Sequence, residues 1–230
     1  MPGTVLEEMY HAGEYKALTD DETAELMAQI KMITPPFVRI KRALRDLPTN
    51  IVVAGAKKGN MRQIAKQLLH EDGKRCRCIR CREVGHRIRD DGVNPDPDKI
   101  SLVEIKMNAS DGMDYFLSFE DTENDVLIGF LRLRKPSTEV FVQELKGNCW
   151  IIRELHVYGS ALPIGDSPDS ENKWQHRGFG RKLVERAEEI ARENRAEKIA
   201  VISGVGVRQY YYNLGYERDG PYCSKKLKYN

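Results

Sequence analysis

The 230-residue chain has no run approaching the roughly 18 consecutive apolar residues of a membrane-spanning helix. Its first residues, MPGTVLEEMYHAGEYK, lack the basic, apolar and small-residue order of a secretory signal. No membrane role is expected, and the chain reads as cytoplasmic. Net charge is nearly absent too: 37 lysines and arginines face 35 aspartates and glutamates. Charge alone therefore points to no nucleic-acid partner, and any electrostatic attraction has to be local. Internal repeats and low-complexity tracts are missing, which leaves an ordinary globular chain. Finally, the five cysteines lack the even spacing of a secreted disulfide framework; three of them fall within positions 76–81, where metal chemistry is the better expectation.

What is present suffices for a folded core: 40% of the residues are hydrophobic, in a chain long enough for one large domain or two small ones. Breaks in the pattern mark three parts, residues 1–69, 70–99 and 100–230. In the first, TDDETAELMAQIKMI offers Thr19 and Asp20 as caps with Glu22 close behind. It sets Leu26, Met27, Ile30 and Ile33 at helical spacing before Pro35 and Pro36 stop the helix. NIVVAG predicts a short buried strand, and NMRQIAKQLLHEDG a second helix closing at Gly73. The middle part holds the cysteine cluster and ends in DDGVNPDPD, whose Gly, Pro and Asn break regular structure. The last part predicts four strands, in ISLVEIKMN, DYFLSFED, VLIGFLRLRK and CWIIRELHV. A helix, a strand in KIAVISG, a short helix in VRQYYYNLGY and a final strand in CSKKLKY follow. The fold class is mixed α/β.

The long helix of the last part is preceded by Gln175-His176-Arg177-Gly178-Phe179-Gly180, and it places Leu183, Val184, Ala187, Ile190 and Ala191 on one face. Free backbone N–H groups and the helix dipole at such a start attract an anion, and glycines let the backbone close around a phosphate. Arg177, Arg181 and Lys182 add positive charge. A lone G-x-G fits a plain turn equally well, so its surroundings have to decide.

With those surroundings the loop resembles the Q/R-x-x-G-x-G/A motif of the GCN5-related N-acetyltransferase family, matched by Gln175, Gly178 and Gly180. The resemblance implies a sheet whose central strands splay to admit acetyl-coenzyme A. It places Gln175, His176, Arg177, Gly178, Phe179, Gly180 and Arg181 around the pyrophosphate, and Leu155, His156 and Val157 along the pantetheine. Many members carry a tyrosine near the coenzyme sulfur, four residues before a turn glycine; here that residue is Tyr211, with Tyr210 beside it and Gly215 as the turn. A phenol with a pKa near 10 can give its proton to a departing thiolate, although such rings also serve as core. Glu154 is a candidate base or orienting carboxylate for the acetyl site, or the ion-pair partner of a nearby arginine such as Arg153.

A closer resemblance rests on RELHVYGS, QHRGFG, ISGVGVRQYY, LGYERDGPY, VLIGFLRLRK, PPFVRIKRALRDLP and AGAKKGNMRQ. Together these strings are similar to the C-terminal part of the Elongator catalytic-subunit family, the radical-SAM tRNA uridine acetyltransferases. That family converts the acetyl unit of acetyl-coenzyme A into a carboxymethyl group on C5 of the tRNA wobble uridine. It uses S-adenosylmethionine and an iron-sulfur cluster in a barrel domain. No cysteines matching the cluster motif precede Cys76. Residues 1–69 resemble the last helices and strand of the barrel, so these cofactors are expected only in a family half absent from this chain. The chain reads as a fragment, a truncated paralog or half of a split enzyme, not expected to complete the modification alone. The implied partners are tRNA at its anticodon region and a radical-SAM chain or Elongator-type assembly; no DNA partner is expected.

Cys76-x-Cys78-x2-Cys81, with His86 shortly after, offers three thiolates and an imidazole, a donor set suited to a closed structural zinc site. His70 would close a longer loop; the compact spacing favours His86. Basic residues gather around the cluster, Arg39, Lys41, Arg42, Arg45, Lys57, Lys58 and Arg62 before it, and Lys74, Arg75, Arg77, Arg80, Arg82, Arg87 and Arg89 within and after it. Such a stripe predicts weak, salt-sensitive RNA binding or a solvated face. Two other functions fit parts of the pattern: a protein lysine N-acetyltransferase, and a non-catalytic acetyl-coenzyme A-binding module.

Overall fold

A computed structural model describes residues 1–44, 48–159 and 178–228. The chain divides into two compact units, Met1–Cys81 and Arg82–Asn230, and the division falls within the stretch 70–99.

The first unit is built on helices α1 (Val5–His11), α2 (Asp20–Ile33) and α3 (Met61–Glu71), with α4 (Ile79–Arg82) beginning at its end. The start of α2 is fixed by a capping box: Thr19 Oγ1 accepts the Glu22 N–H at 3.1 Å, while Glu22 Oε2 accepts the Thr19 N–H at 2.8 Å. Asp20 also accepts the N–H groups of Lys57 and Lys58, tying α2 to the segment before α3. The buried face of α2 differs from the one its large apolar residues predict. Ala24, Met27, Ala28 and Lys31 are buried, whereas Leu26, Ile30 and Ile33 are exposed. Small residues on the inner face let α3 approach with Met61, Ala65 and Leu69, spaced one helical turn apart. NIVVAG is not a strand: Thr49–Ile51 forms one 3-10 turn, and Ile51–Val53 are half-buried. Its apolar run is three residues long, and the described residues of this unit contain no strand to satisfy its backbone groups.

The second unit opens with α5 (Val84–Asp91) and continues into a seven-stranded sheet. Its strands are β1 (Ile100–Ala109), β2 (Gly112–Asp121), β3 (Val126–Lys135), β4 (Cys149–Val157), β5 (Lys198–Val201), β6 (Glu217–Asp219) and β7 (Tyr222–Lys226). The spatial order is β1-β2-β3-β4-β5-β7-β6. Among the described strands only β4 and β5 run parallel, which requires a crossover; α6 (Phe179–Glu193) lies in it, and α7 (Arg208–Tyr212) follows β5. The expected last strand is therefore half of a β6–β7 hairpin. Leu183, Val184, Ala187, Ile190 and Ala191 of α6 pack on Leu117, Leu131, Leu133, Trp150, Ile152 and Ile199, making this the main core. Burying each of the larger side chains stabilises the fold by about 1.5–3 kcal/mol.

Two of the arginines in the basic stripe are not available to RNA. Arg82 is fully buried, pairing with Glu120 at 2.6 Å and Asp125 at 3.6 Å, and Glu120 also accepts from Ser118. Arg87 is buried against Asp91 and donates to the Asn124 carbonyl at 2.9 Å. A charge buried in this way is held by its partners and would leave them unpaired if it turned outward.

Candidate active site

β5 pairs with β4 only from Cys149 to Ile152, against Lys198–Val201. Directly beyond, Leu133 of β3 faces Ile152 while Arg132 faces Glu154, so Arg153 is the extra residue of a β-bulge. A bulge bends and twists its strand, and β4 here parts from β5. Glu154, Leu155 and His156 keep their β3 neighbours Arg132, Leu131 and Phe130, but β5 no longer covers their other edge. An extended ligand with amide groups can pair with such an edge.

The N-terminus of α6 meets this opening. Among the described residues no side chain caps the helix, and its first i-to-i+4 bond runs from the Lys182 N–H to the Gly178 carbonyl, leaving the N–H groups of Phe179, Gly180 and Arg181 without helical acceptors. The two glycines are required for different reasons. Gly178 has φ +76°, a left-handed conformation that L side chains rarely adopt. Gly180 has an ordinary φ, but a Cβ there would lie 3.1 Å from Tyr210 Oη and 3.5 Å from Val157 Cγ2. Its bare backbone thus keeps α6, α7 and β4 in close approach. Gly180→Val is expected to weaken acetyl-coenzyme A binding by about tenfold or more in a calorimetric titration and, because the added side chain presses on Tyr210 and Val157, to lower the melting temperature as well. Phe179 faces the other way: it is buried, with its ring centroid 4.8 Å from that of Phe119, and anchors the helix start. Arg181 is exposed and bonds Glu185 at 2.9 Å. Gln175, His176 and Arg177 lie outside the described residues.

Tyr210 and Tyr211 occupy one turn of α7 with perpendicular rings 5.2 Å apart. Tyr210 is 38% exposed and Tyr211 5%, the latter packed against Tyr216 in the core. Neither hydroxyl has a hydrogen-bond partner among the described residues. Burial raises both phenols, Tyr211 to about 12, which keeps them protonated. Because the folded-state pKa of Tyr211 lies above the ordinary 10.0, its contribution to stability is complete below about pH 10 and lost as pH climbs toward about 12. Melting temperatures measured from about pH 9 to about pH 12 should accordingly fall less steeply for Tyr211→Phe than for the parent protein.

On the sheet face away from α6, Phe116, Arg132 and Glu154 stand side by side across β2, β3 and β4. The Arg132 guanidinium lies 5.3 Å from the Phe116 ring centroid and 5.5 Å from that of Phe130, and its Nε donates to Glu154 at 3.0 Å. Glu154 therefore pairs with Arg132 rather than with Arg153, because alternation across the ladder brings the former onto the same face. Together with Asp114 and Arg153 these residues border a cleft of about 330 Å³. His156, exposed on the same face, has its ring 4.5 Å from that of Tyr158. Arg132 escaped the sequence reading; its only signal was the register of VLIGFLRLRK against CWIIRELHV, which requires the bulge.

In the first unit, Cys76, Cys78 and Cys81 bring their Sγ atoms within 4.8 Å of one another. Tetrahedral zinc, with bonds of about 2.3 Å, needs sulfurs about 3.8 Å apart, so the cluster fits such an ion after small shifts. The Cys78 thiol is held far below the usual range by hydrogen bonds from the Cys76 and Cys81 thiols, helped by the backbone N–H groups of Cys81 and Ile40. Cys76, donating to it, is raised. His70 is exposed on α3. His86 belongs to the second unit, where its Nδ1 lies 2.6 Å from Arg89 Nη2 and 3.3 Å from Asp90. Lys31, a residue with no sequence signal of its own, is buried beside the thiols, its Nζ 3.9 Å from Cys81 Sγ.

The model of the acetyltransferase (GNAT) family matches residues 81–216, more than half of the chain. The chain belongs to the GNAT acetyltransferase family. Residues 1–71 match the Radical_SAM C-terminal domain. This GNAT protein is 45% identical over 227 residues to the tRNA uridine(34) acetyltransferase of Methanocaldococcus jannaschii, an alignment covering 98% of this chain and 42% of that protein. It is 45% identical to human Elongator complex protein 3, over 98% of this chain and 41% of the relative. The solved archaeal Methanocaldococcus infernus Elp3 with an N-terminal deletion matches with a TM-score of 0.90 and 44% identity, covering 99% of this chain and 53% of the other. The chain spans less than half the length of these curated relatives. Over nearly all its own length it matches part of the Elongator catalytic-subunit family, joining a radical-SAM C-terminal segment to a GNAT domain.

Among the described residues, no helix is long and apolar enough to cross a membrane.

Proposed function

We propose that the chain binds acetyl-coenzyme A and cleaves its thioester as the acetyltransferase part of an enzyme that carboxymethylates C5 of the tRNA wobble uridine. The observation that carries this reading is the opening between β4 and β5, flanked by the start of α6 and by two phenols, where no cap and no hydroxyl partner is found among the described residues. The free N–H groups at Phe179, Gly180 and Arg181 suit the pyrophosphate, with Gln175, His176 and Arg177 completing the loop. The open edge at Leu155, His156 and Val157 suits the pantetheine amides. As the carbon–sulfur bond breaks, the sulfur takes a proton from Tyr210, whose hydroxyl lies against Gly180 at the start of α6; Tyr211 is the positioning ring behind it. The carbonyl carbon takes a hydroxyl from water and becomes the carboxylate of acetate, or of the carboxymethyl group once the former methyl carbon carries the bond to uridine C5; the proton that this water gives up returns through solvent to the phenolate. Glu154, held by Arg132, orients the acceptor side of the site.

The radical step and its S-adenosylmethionine and iron-sulfur chemistry are assigned to a barrel outside these residues, on the same polypeptide or on a partner chain of an Elongator-type assembly. Zinc, held by the thiolates of Cys76, Cys78 and Cys81, serves as a structural staple of the first unit. The exposed lysines Lys41, Lys57, Lys58 and Lys74 contribute to tRNA contact, in the cytoplasm. Fluorescence-anisotropy titrations should show tRNA affinity falling as salt rises; a salt-independent affinity would remove tRNA contact from this surface.

Release of free coenzyme A from acetyl-coenzyme A, with and without tRNA, tests the central claim. Release stimulated by tRNA supports it. Transfer to a peptide lysine without tRNA points instead to a lysine N-acetyltransferase, and binding without turnover to a non-catalytic module.

A further inference from the structure

Lys31 is 2% exposed, among the most deeply buried charged side chains described. It sits on the inner face of α2, in a cluster otherwise made of Ala24, Met27, Ala28, Ala65 and Leu69 with the cysteines. Its only hydrogen-bond partner among the described residues is Cys81 Sγ, at 3.9 Å, and no described carboxylate pairs with it. An ammonium in such surroundings is costly unless a negative charge lies close by. Among the described residues, the Cys81 thiol is the hydrogen-bond partner that can supply one.

We propose that Lys31 is the counter-cation of a divalent metal centre formed by Cys76, Cys78 and Cys81, and that this pairing requires the fourth ligand to be neutral. The inference rests on the metal reading above and deepens it. A divalent ion bound by three thiolates carries one net negative charge, which the single positive charge of Lys31 cancels. A fourth ligand that is an imidazole or a water keeps that balance, whereas a fourth thiolate or a carboxylate leaves an uncompensated charge in an apolar cluster. Lys31 lies too close to Cys81 to be an incidental surface cation, yet an ammonium has no lone pair with which to bind the metal. It is a positioning residue, acting through Cys81.

The test uses the whole chain, loaded with Zn2+ or Co2+ against a competing chelator. Lys31→Met is expected to lower metal affinity by about tenfold to a hundredfold. Its thiolate-to-cobalt charge-transfer absorbance per bound ion should stay unchanged, since the same three sulfurs still bind. The metal-free variant should melt no lower than the metal-free parent, because the substitution removes a buried charge. Loss of affinity without loss of metal-free stability is a pair of effects that simple packing damage does not produce. Lys31→Arg, which keeps the charge, should bind metal within about threefold of the parent. Unchanged affinity in Lys31→Met, or an arginine variant as weak as the methionine one, overturns the counter-cation role while leaving the metal centre standing. A parent protein that takes up neither ion overturns the metal reading and this inference with it.

Discussion

Tyr210→Phe is expected to slow coenzyme A release by about a hundredfold or more while leaving the dissociation constant for acetyl-coenzyme A nearly unchanged. The hydroxyl is the only group removed, and the ring that packs beside Tyr211 stays in place. The proton donation proposed for it concerns the departing sulfur, a charge that develops only as the thioester breaks, so the loss should fall on turnover and not on binding. Tyr211→Phe serves as the internal contrast. Its ring is already part of the core with Tyr216 and Cys223, and its hydroxyl has no described partner to lose. Here turnover should change far less, and the visible effect is the gentler alkaline loss of stability. Single-turnover release and equilibrium titration on the two variants separate these outcomes. Equal turnover in Tyr210→Phe and the parent would remove the phenol from the mechanism, and the reverse order of effects would move the donor to Tyr211.

The second large effect is expected at Cys78. Its sulfur accepts from both neighbouring thiols and from backbone N–H groups, so it sits at the centre of the cluster. Cys78→Ser replaces a soft, easily ionised ligand by a hydroxyl that stays protonated, and a site with two thiolates holds a divalent ion far less tightly. Metal content after dialysis, measured by plasma mass spectrometry, should fall from about one ion per chain to nearly none. The first unit should then melt at lower temperature, because Cys76 and Cys78 also belong to its apolar cluster and metal binding adds to its folding free energy. Chelation of the parent protein should reproduce that melting shift, whereas a parent that melts identically with and without chelator would show that the cluster stabilises the unit through packing alone.

Much of the architecture was legible in the chain itself, because it is carried by local chemistry. The capping box at Thr19 and Glu22, the four hydrophobic strands before the glycine loop, and the stripe from Leu183 to Ala191 each follow from the conformational preferences of a few adjacent residues. The same holds for the left-handed turn at Gly178 and for the gathering of the three cysteine sulfurs, since each is set within a single short segment. Features that depend on distant partners were not legible. NIVVAG has the composition of a strand but no neighbour to pair with, so it stays a turn. The inner face of α2 is decided by how closely α3 can approach, which favours Ala24 and Ala28 over Leu26 and Ile30 and carries Lys31 into the interior. Glu154 meets Arg132 because a bulge at Arg153 resets the register of β4, and Arg82 is withdrawn from the surface by acids near 120 and 125. Periodicity and motif spacing act within one segment, whereas burial, pairing and charge balance are settled between segments, and only the assembled tertiary structure brings those segments together.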